Sequence, residues 1–174
     1  GAVVGDAAKQ RYQSLGIDLE EVKQSLLAVN NLALEGKPED MVITSHICRG
    51  NYHSTYFTSG PYDSVADYVF AKENVDALFL EYDDERSGGF APLAKVSPDK
   101  KVVLGLITTK TPELEDKKEV IERIHEAAKY IPLDRLCLSP QCGFASCEIG
   151  NKLTEEQQWA KLKLVKEIAE EVWG

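Results

Sequence analysis

The sequence predicts an α/β fold built on a parallel sheet. Three observations carry that reading: four short, mostly β-branched apolar runs, amphipathic helical patterns between and after them, and a length of 174 residues that suits one domain. The composition, 43% apolar and 28% charged, is that of a globular chain. A domain of this size buries about 70% of its unfolded surface, so it needs no disulfide staples.

The elements follow in chain order. Residues 17–36 place Leu19, Val22, Leu26, Leu27 and Leu34 near helical spacing. Asp18, with Glu21 three residues on, is a cap, and Gly36 and Pro38 are a stop. The run MVITSHIC, 41–48, is too short for a helix and suits a strand buried on both faces. Residues 75–82, 101–109 and 134–140 read alike. Between strands, 62–73 carries Val65, Ala66, Val69 and Phe70 on one helical face, and 116–130 carries Val120, Ile121, Ile124, Ala127 and Ala128 behind an Asp116/Glu119 cap. The connection from the second strand to the third is punctuated by Gly88, Gly89, Pro92 and Pro98, with one short helix at 92–95. The last helix opens at Thr154 with Gln157 as its capping-box partner and carries Trp159, Leu162, Val165, Ile168 and Val172.

A strand–helix unit repeated four times implies right-handed crossovers and leaves two architectures, a small open doubly-wound sheet or part of a (β/α)8 barrel. A complete barrel needs about 250 residues and eight strands. Four strands make at most a half-barrel, whose first and last strands would be open edges and whose inner face would be uncovered.

Charge and targeting exclude several classes. With 29 acidic against 20 basic residues, a net −9, the chain lacks the clustered Lys and Arg that nucleic acid or an anionic membrane requires. No apolar run approaches the ~18 residues of a membrane span, and the opening ten residues lack a basic region before a long apolar one. The expectation is a cytoplasmic protein whose cysteines, Cys48, Cys137, Cys142 and Cys147, stay reduced.

In either architecture, functional groups gather at the carboxyl ends of the strands. The first strand ends in Ser45-His46-Ile47-Cys48, which puts His46 and Cys48 on one side. The second ends at Glu81, and the fourth runs into Cys142. One imidazole, two thiols and a carboxylate on one rim make a tetrahedral zinc set, against the plainer reading of a solvated acidic run at 81–85 and unrelated thiols. Cys137 reads as a small buried hydrophobe, Cys147 as uninvolved, and His53 and His125 as surface residues. Arg49, Gly50 and Asn51 either hold a substrate carboxylate or shape a turn.

Three separated motifs carry a family resemblance: His46-Ile47-Cys48-Arg49-Gly50-Asn51, then Phe79-Leu80-Glu81-Tyr82-Asp83-Asp84-Glu85-Arg86-Ser87-Gly88, then Leu138-Ser139-Pro140-Gln141-Cys142-Gly143-Phe144. In this order they resemble the catalytic domain of cobalamin-independent methionine synthases, from about Leu15 to the end of the chain. Residues 1–14 are left as a variable N-terminal segment of a single domain, 1–174. The resemblance implies the carboxyl-terminal half, four βα units, of a TIM (β/α)8 barrel. It also implies a zinc ion on His46, Cys48, Glu81 and Cys142, and methyl transfer from a methyl-folate to the thiol of homocysteine. Where the full-length synthases carry a histidine implicated in proton delivery, this chain has Lys110, which leaves the donor open between methyl-folate, a corrinoid protein or another carrier. Arg49 and Asn51 are the candidate substrate contacts. Since the family's first four strands supply much of the homocysteine pocket, the expectation is a homo-oligomer or a missing N-terminal half.

Overall fold

The computed structural model describes residues 6–174. Of the variable segment 1–14, the first five residues lie outside the described ones, and the rest form α1 (Asp6–Ser14), a polar helix that buries only Ala8. Helix α2 (Leu19–Ala33) starts where its cap predicts, with the Asp18 carboxylate accepting the Glu20 N–H at 2.8 Å. Strands β1 (Thr44–Ile47), β2 (Ala77–Glu81), β3 (Lys101–Ile107) and β4 (Leu136–Pro140) pair in parallel in the order β1-β2-β3-β4. Helix α3 (Asp63–Val65, winding on as a π-helix over Ala66–Phe70) joins β1 to β2, and α4 (Lys117–Ala127) joins β3 to β4. The β2–β3 connection carries only 3-10 turns, Glu85–Ser87 and Ala91–Lys95. Helix α5 (Glu155–Trp173) follows β4, its Thr154–Gln157 capping box formed in both directions.

The strand order decides between the two architectures. A doubly-wound sheet reverses its order near the middle, so that strands distant in sequence become neighbours. Here every neighbour is consecutive, and right-handed crossovers of one sense place all helices on one face. The sheet is therefore an arc of a (β/α)8-type barrel. Its helix-facing side is a continuous apolar layer: Leu78, Leu80, Val102, Leu104, Leu106 and Leu136 pack in one cluster with Val65, Phe70, Val120, Ile124, Leu164 and Ile168. The other face carries the complementary register rows, first His46, Phe79, Val103 and Cys137, then Glu81, Gly105 and Ser139.

Three expectations change in detail. Strand β1 is not buried on both faces; it alternates between exposed and half-buried residues, because it has one neighbour and its inner side is uncovered. Cys137 stands half-buried on the inner row. In α5 the buried stripe is Lys161, Leu164 and Ile168, and Trp159 is 59% exposed. Lys161 turns inward because its ammonium is fully partnered, by Glu113 O at 2.6 Å and the Glu115 carboxylate at 3.1 Å. The expected open edge is visible in α2, which buries only Lys23 and exposes Leu26, Val29 and Leu32.

Two residues fix the rim at which the strands end. The β3–β4 register shifts between Gly105 and Ile107, and a Cβ at Gly105 would lie 3.0 Å from Leu80 O and 3.1 Å from the Gln141 Cα. Tyr62, fully buried, accepts the Glu81 N–H at 2.8 Å, and its hydroxyl lies 3.3 Å from Glu81 O and 3.4 Å from Ile47 O. Gly105→Ala is expected to destabilise the chain by about 1–3 kcal/mol through overpacking against main chain that cannot yield. Tyr62→Phe, which leaves the buried Glu81 amide without its acceptor, is expected to cost a similar ~1–3 kcal/mol. Urea denaturation followed by circular dichroism reads both as lowered midpoints, and an unchanged midpoint would contradict either assignment.

Candidate metal centre

Beyond β1 the chain turns sharply, and the turn is built on glycine. Gly50 has φ 98°, and a Cβ there would sit 2.7 Å from Phe57 N. The turn aims two successive amides at the rim: Arg49 N–H donates to Glu81 Oε2 at 3.1 Å, and Gly50 N–H to Cys48 Sγ at 3.1 Å. Arg49 itself is 1% exposed, its guanidinium bonded to Gly60 O (2.6 Å) and Glu81 O (3.3 Å) over the Tyr62 ring. What it holds is main chain of the β2 end and of the loop before α3.

His46, Cys48, Glu81 and Cys142 converge at this rim. His46 Nε2 is 3.4 Å from both Cys142 Sγ and Glu81 Oε1, and Cys48 Sγ is 3.1 Å from Cys142 Sγ. All four donor atoms lie within 4.8 Å of one another. Both sulfurs are free thiols. A tetrahedral zinc with bonds of ~2.0–2.3 Å spaces its ligand atoms roughly 3.3–3.8 Å apart, close to the separations seen here. Glu81 Oε1 supplies an independent test of fit, being a fully buried oxygen without a hydrogen-bond partner. Such an orphaned acceptor is what a cation satisfies. One nitrogen, one oxygen and two sulfurs also suit zinc better than magnesium or calcium.

The electrostatics of the cluster are those of ligands sharing protons. Burial pushes the Glu81 carboxyl up, but contacts with His46, Cys142, Gln141 and the Arg49 amide outweigh it and hold the carboxyl at about 2. Cys48 is drawn down to about 5 by hydrogen bonding to Cys142 and then His46, while Cys142 is pushed well up by the same contact with Cys48 and by burial. His46, beside the Cys48 thiolate and then Glu81, is raised to about 9. The four groups thus compete for protons, the carboxyl and one thiol drawn towards ionisation and the imidazole towards its charged form.

A second tier surrounds these four. Lys110 Nζ donates to Gln141 Oε1 (2.9 Å) and Asn51 Oδ1 (3.3 Å), and burial lowers its pKa. Asn51 in turn donates to Gly143 O (3.0 Å) and Ser146 Oγ (2.8 Å), which ties the loop after β1 to the loop after β4. Arg86 pairs with Asp83 at 2.8 Å and with Asp84, and it lies 4.0 Å from Glu81 Oε2. His53 is not a free surface residue: its Nδ1 meets Gly150 O at 3.1 Å, a further tie between the same two loops. His125 is exposed on α4, and Cys147 stands outside the cluster. Tyr62, Gln141 and Arg86 had no role assigned from sequence. Gln141 and Arg86 lie inside motifs already singled out, whereas Tyr62 precedes a helix that carries no strand-end signal.

Comparison with known proteins matches residues 22–171 to the family described as the catalytic domain of the cobalamin-independent synthases. The Bacillus subtilis protein YxjG, itself described as uncharacterized, is 53% identical over 94% of this chain and 44% of its own length. The 5-methyltetrahydropteroyltriglutamate–homocysteine methyltransferase of Bacillus licheniformis is 30% identical over 65% of this chain and 14% of its own. The crystal structure of a Listeria monocytogenes protein described as a vitamin-B12 independent methionine synthase matches with a TM-score of 0.71 and 42% identity, over 91% of this chain and 43% of that one. The chain thus spans less than half the length of YxjG. With its strand order, its rim of four convergent side chains and a family match over nearly its whole length, the chain belongs to the catalytic-domain family of the cobalamin-independent synthases.

Proposed function

We propose that this chain is the zinc-bearing half of a methyltransferase barrel that moves a methyl group from a methyl-folate-type donor to the thiol of homocysteine. The observation that carries the reading is the convergence of His46, Cys48, Glu81 and Cys142, with Glu81 Oε1 a buried oxygen that makes no hydrogen bond, in a chain of this family. The name of the Bacillus licheniformis relative supplies the two substrates. Held by His46, Cys48, Glu81 and Cys142, zinc would supply the positive charge that keeps an acceptor thiol ionised at neutral pH. The chain's own residues set how strongly: two thiolates and a carboxylate bring the centre to −1, which favours a reactive sulfur over a strongly acidified one. The Arg49 and Gly50 amides hold the Glu81 oxygen and the Cys48 sulfur in place.

The donor and acceptor also need walls. Strand β1 is a free edge, its inner row is uncovered, and α2 exposes an apolar face beside it. These features support the view that residues 1–174 are one half-barrel domain whose activity depends on a covering half, supplied by further chain or by a second copy. No helix among the described residues is long and apolar enough to cross a membrane.

Elemental analysis of the purified chain tests the centre directly: about one zinc per chain is expected, lost in Cys142→Ser. Little zinc in the wild type, with none taken up by reduced protein, would remove the reading. The pH dependence has a definite sign. Metal uptake must expel the proton that His46 holds up to about pH 9 and the proton on Cys142, whereas Cys48, at about 5, is already ionised. Between pH 6 and 8 the apparent zinc affinity should therefore rise by up to about 100-fold per pH unit, measured by competition with a chromophoric chelator. A pH-independent affinity would mean that the site is not protonated as described.

A further inference from the structure

Cys48 and Cys142 come from strands that are not neighbours. Two strands lie between β1 and β4, so their ends stand about 14 Å apart along the sheet, yet the two sulfurs are 3.1 Å apart. Part of the gap is closed by the curve of the arc, and the rest by the loop after β4, which leans back over the end of β3: Gln141 N–H donates to Ile107 O at 2.8 Å and Asn151 Nδ2 to Thr109 O at 2.6 Å. There it meets the loop after β1. Asn51, 8% exposed, gives both of its amide hydrogens to the β4 loop. One goes to Gly143 O at 3.0 Å, directly after Cys142, and the other to Ser146 Oγ at 2.8 Å, whose hydroxyl in turn donates to Cys142 O at 3.3 Å. Its oxygen accepts from Lys110. No donor of the Asn51 side chain is left over for a substrate.

The turn beyond Asn51 adds further ties, and it is strained. Tyr52 and Thr55 exchange both main-chain hydrogen bonds at 2.9 Å, which puts His53 (φ 45°) and Ser54 (φ 66°) in the left-handed region that glycine or asparagine normally fills in so tight a turn. Both residues instead use their side chains on the β4 loop. His53 Nδ1 donates to Gly150 O at 3.1 Å, and Ser54 Oγ accepts from Lys152 N–H at 2.9 Å while Ser54 N–H donates to Asn151 Oδ1 at 3.4 Å. A costly backbone conformation persists only where its surroundings fix it. We propose that Asn51 and the turn 52–55 form a clasp that keeps Cys142 in the ligand set and sets how long a metal stays in the centre, Asn51 serving as a positioning residue and not as a substrate contact. The inference rests on the four side chains holding a metal, whatever the reaction. Opened, the clasp would leave His46, Cys48 and Glu81, at the paired ends of β1 and β2, as a three-ligand site that gives up its ion more readily.

Cobalt loading reads the clasp directly, because each coordinated thiolate adds to a charge-transfer band in the near ultraviolet. The cobalt-loaded chain is compared with Asn51→Ala, which removes both donors, and with Ser54→Gly, which removes the acceptor of Lys152 N–H while suiting a φ of 66°. In Asn51→Ala the band per cobalt is expected to fall by about half, from two thiolates to one, and the affinity measured against a chromophoric chelator to fall about 10- to 100-fold. In Ser54→Gly the metal should leave faster than from the wild type at an unchanged urea midpoint, a separation that a merely structural role would not produce. A folded Asn51→Ala with the full band and the wild-type affinity overturns the clasp. Should Asn51→Ala fail to fold, Ser54→Gly decides alone, and release at the wild-type rate overturns the clasp. If the wild type takes up no cobalt, the metal centre itself fails, and the clasp falls with it.

Discussion

A single buried carboxylate organises the working end of this sheet. Glu81 has no exposed surface, and a charge in that position costs several kcal/mol unless its oxygens are engaged. One oxygen is engaged, by the Arg49 amide, and the other faces His46. The groups that hold Glu81 are drawn from β1, from the turn after it and from the start of α3, so the geometry of the carboxylate and the conformation of the rim fix each other. Arg49 and Tyr62 brace the backbone on either side of it. The side chains of this rim are thus positioned by main-chain contacts and a buried aromatic ring.

The two faces of the sheet divide the labour. Leucines and valines on the helix side account for cohesion, in one continuous cluster with α3, α4 and α5. The opposite face supplies chemistry, with the donor groups at its carboxyl end and Phe79 and Val103 beneath them. Parallel strands make this division automatic, because alternate residues point to opposite faces and all strands finish at the same end.

Much of this was legible in the sequence, for reasons that can be named. Short, β-branched apolar runs too brief for a helix mark the strands; side-chain parity put His46 and Cys48 together, and strand-end position brought Glu81 and Cys142 to the same rim. The caps at Asp18, Asp116 and Thr154 were equally readable, because capping is a local matter between a side chain and the next three amides. What stayed hidden depends on contacts between distant segments. The burial of Lys161 requires Glu115, forty-six residues away in sequence, and so the stripe of α5 could not be drawn from hydropathy. The burial of Arg49 needs Gly60 and Tyr62 to be in place, which no spacing rule supplies. The exposure of β1 depends on the absence of a second neighbour among the described strands, a property of the sheet and not of the run MVITSHIC.

The wide spacing of the ligands along the chain carries a consequence for assembly. Cys48 and Cys142 are separated by 94 positions, and they meet only when the strands that precede them have both joined the sheet. During synthesis the first two donors emerge long before the last, so an early-captured ion would lack a full coordination shell. Closing so large a loop is slow compared with forming a local turn, which makes the centre a late event in folding. An ion bound only by the finished arrangement would act on the fold as a whole, stabilising all four strands by mass action instead of one local turn. In that respect such a centre would differ from a zinc finger, whose metal organises a short local segment, and would resemble a keystone set after the arch is raised.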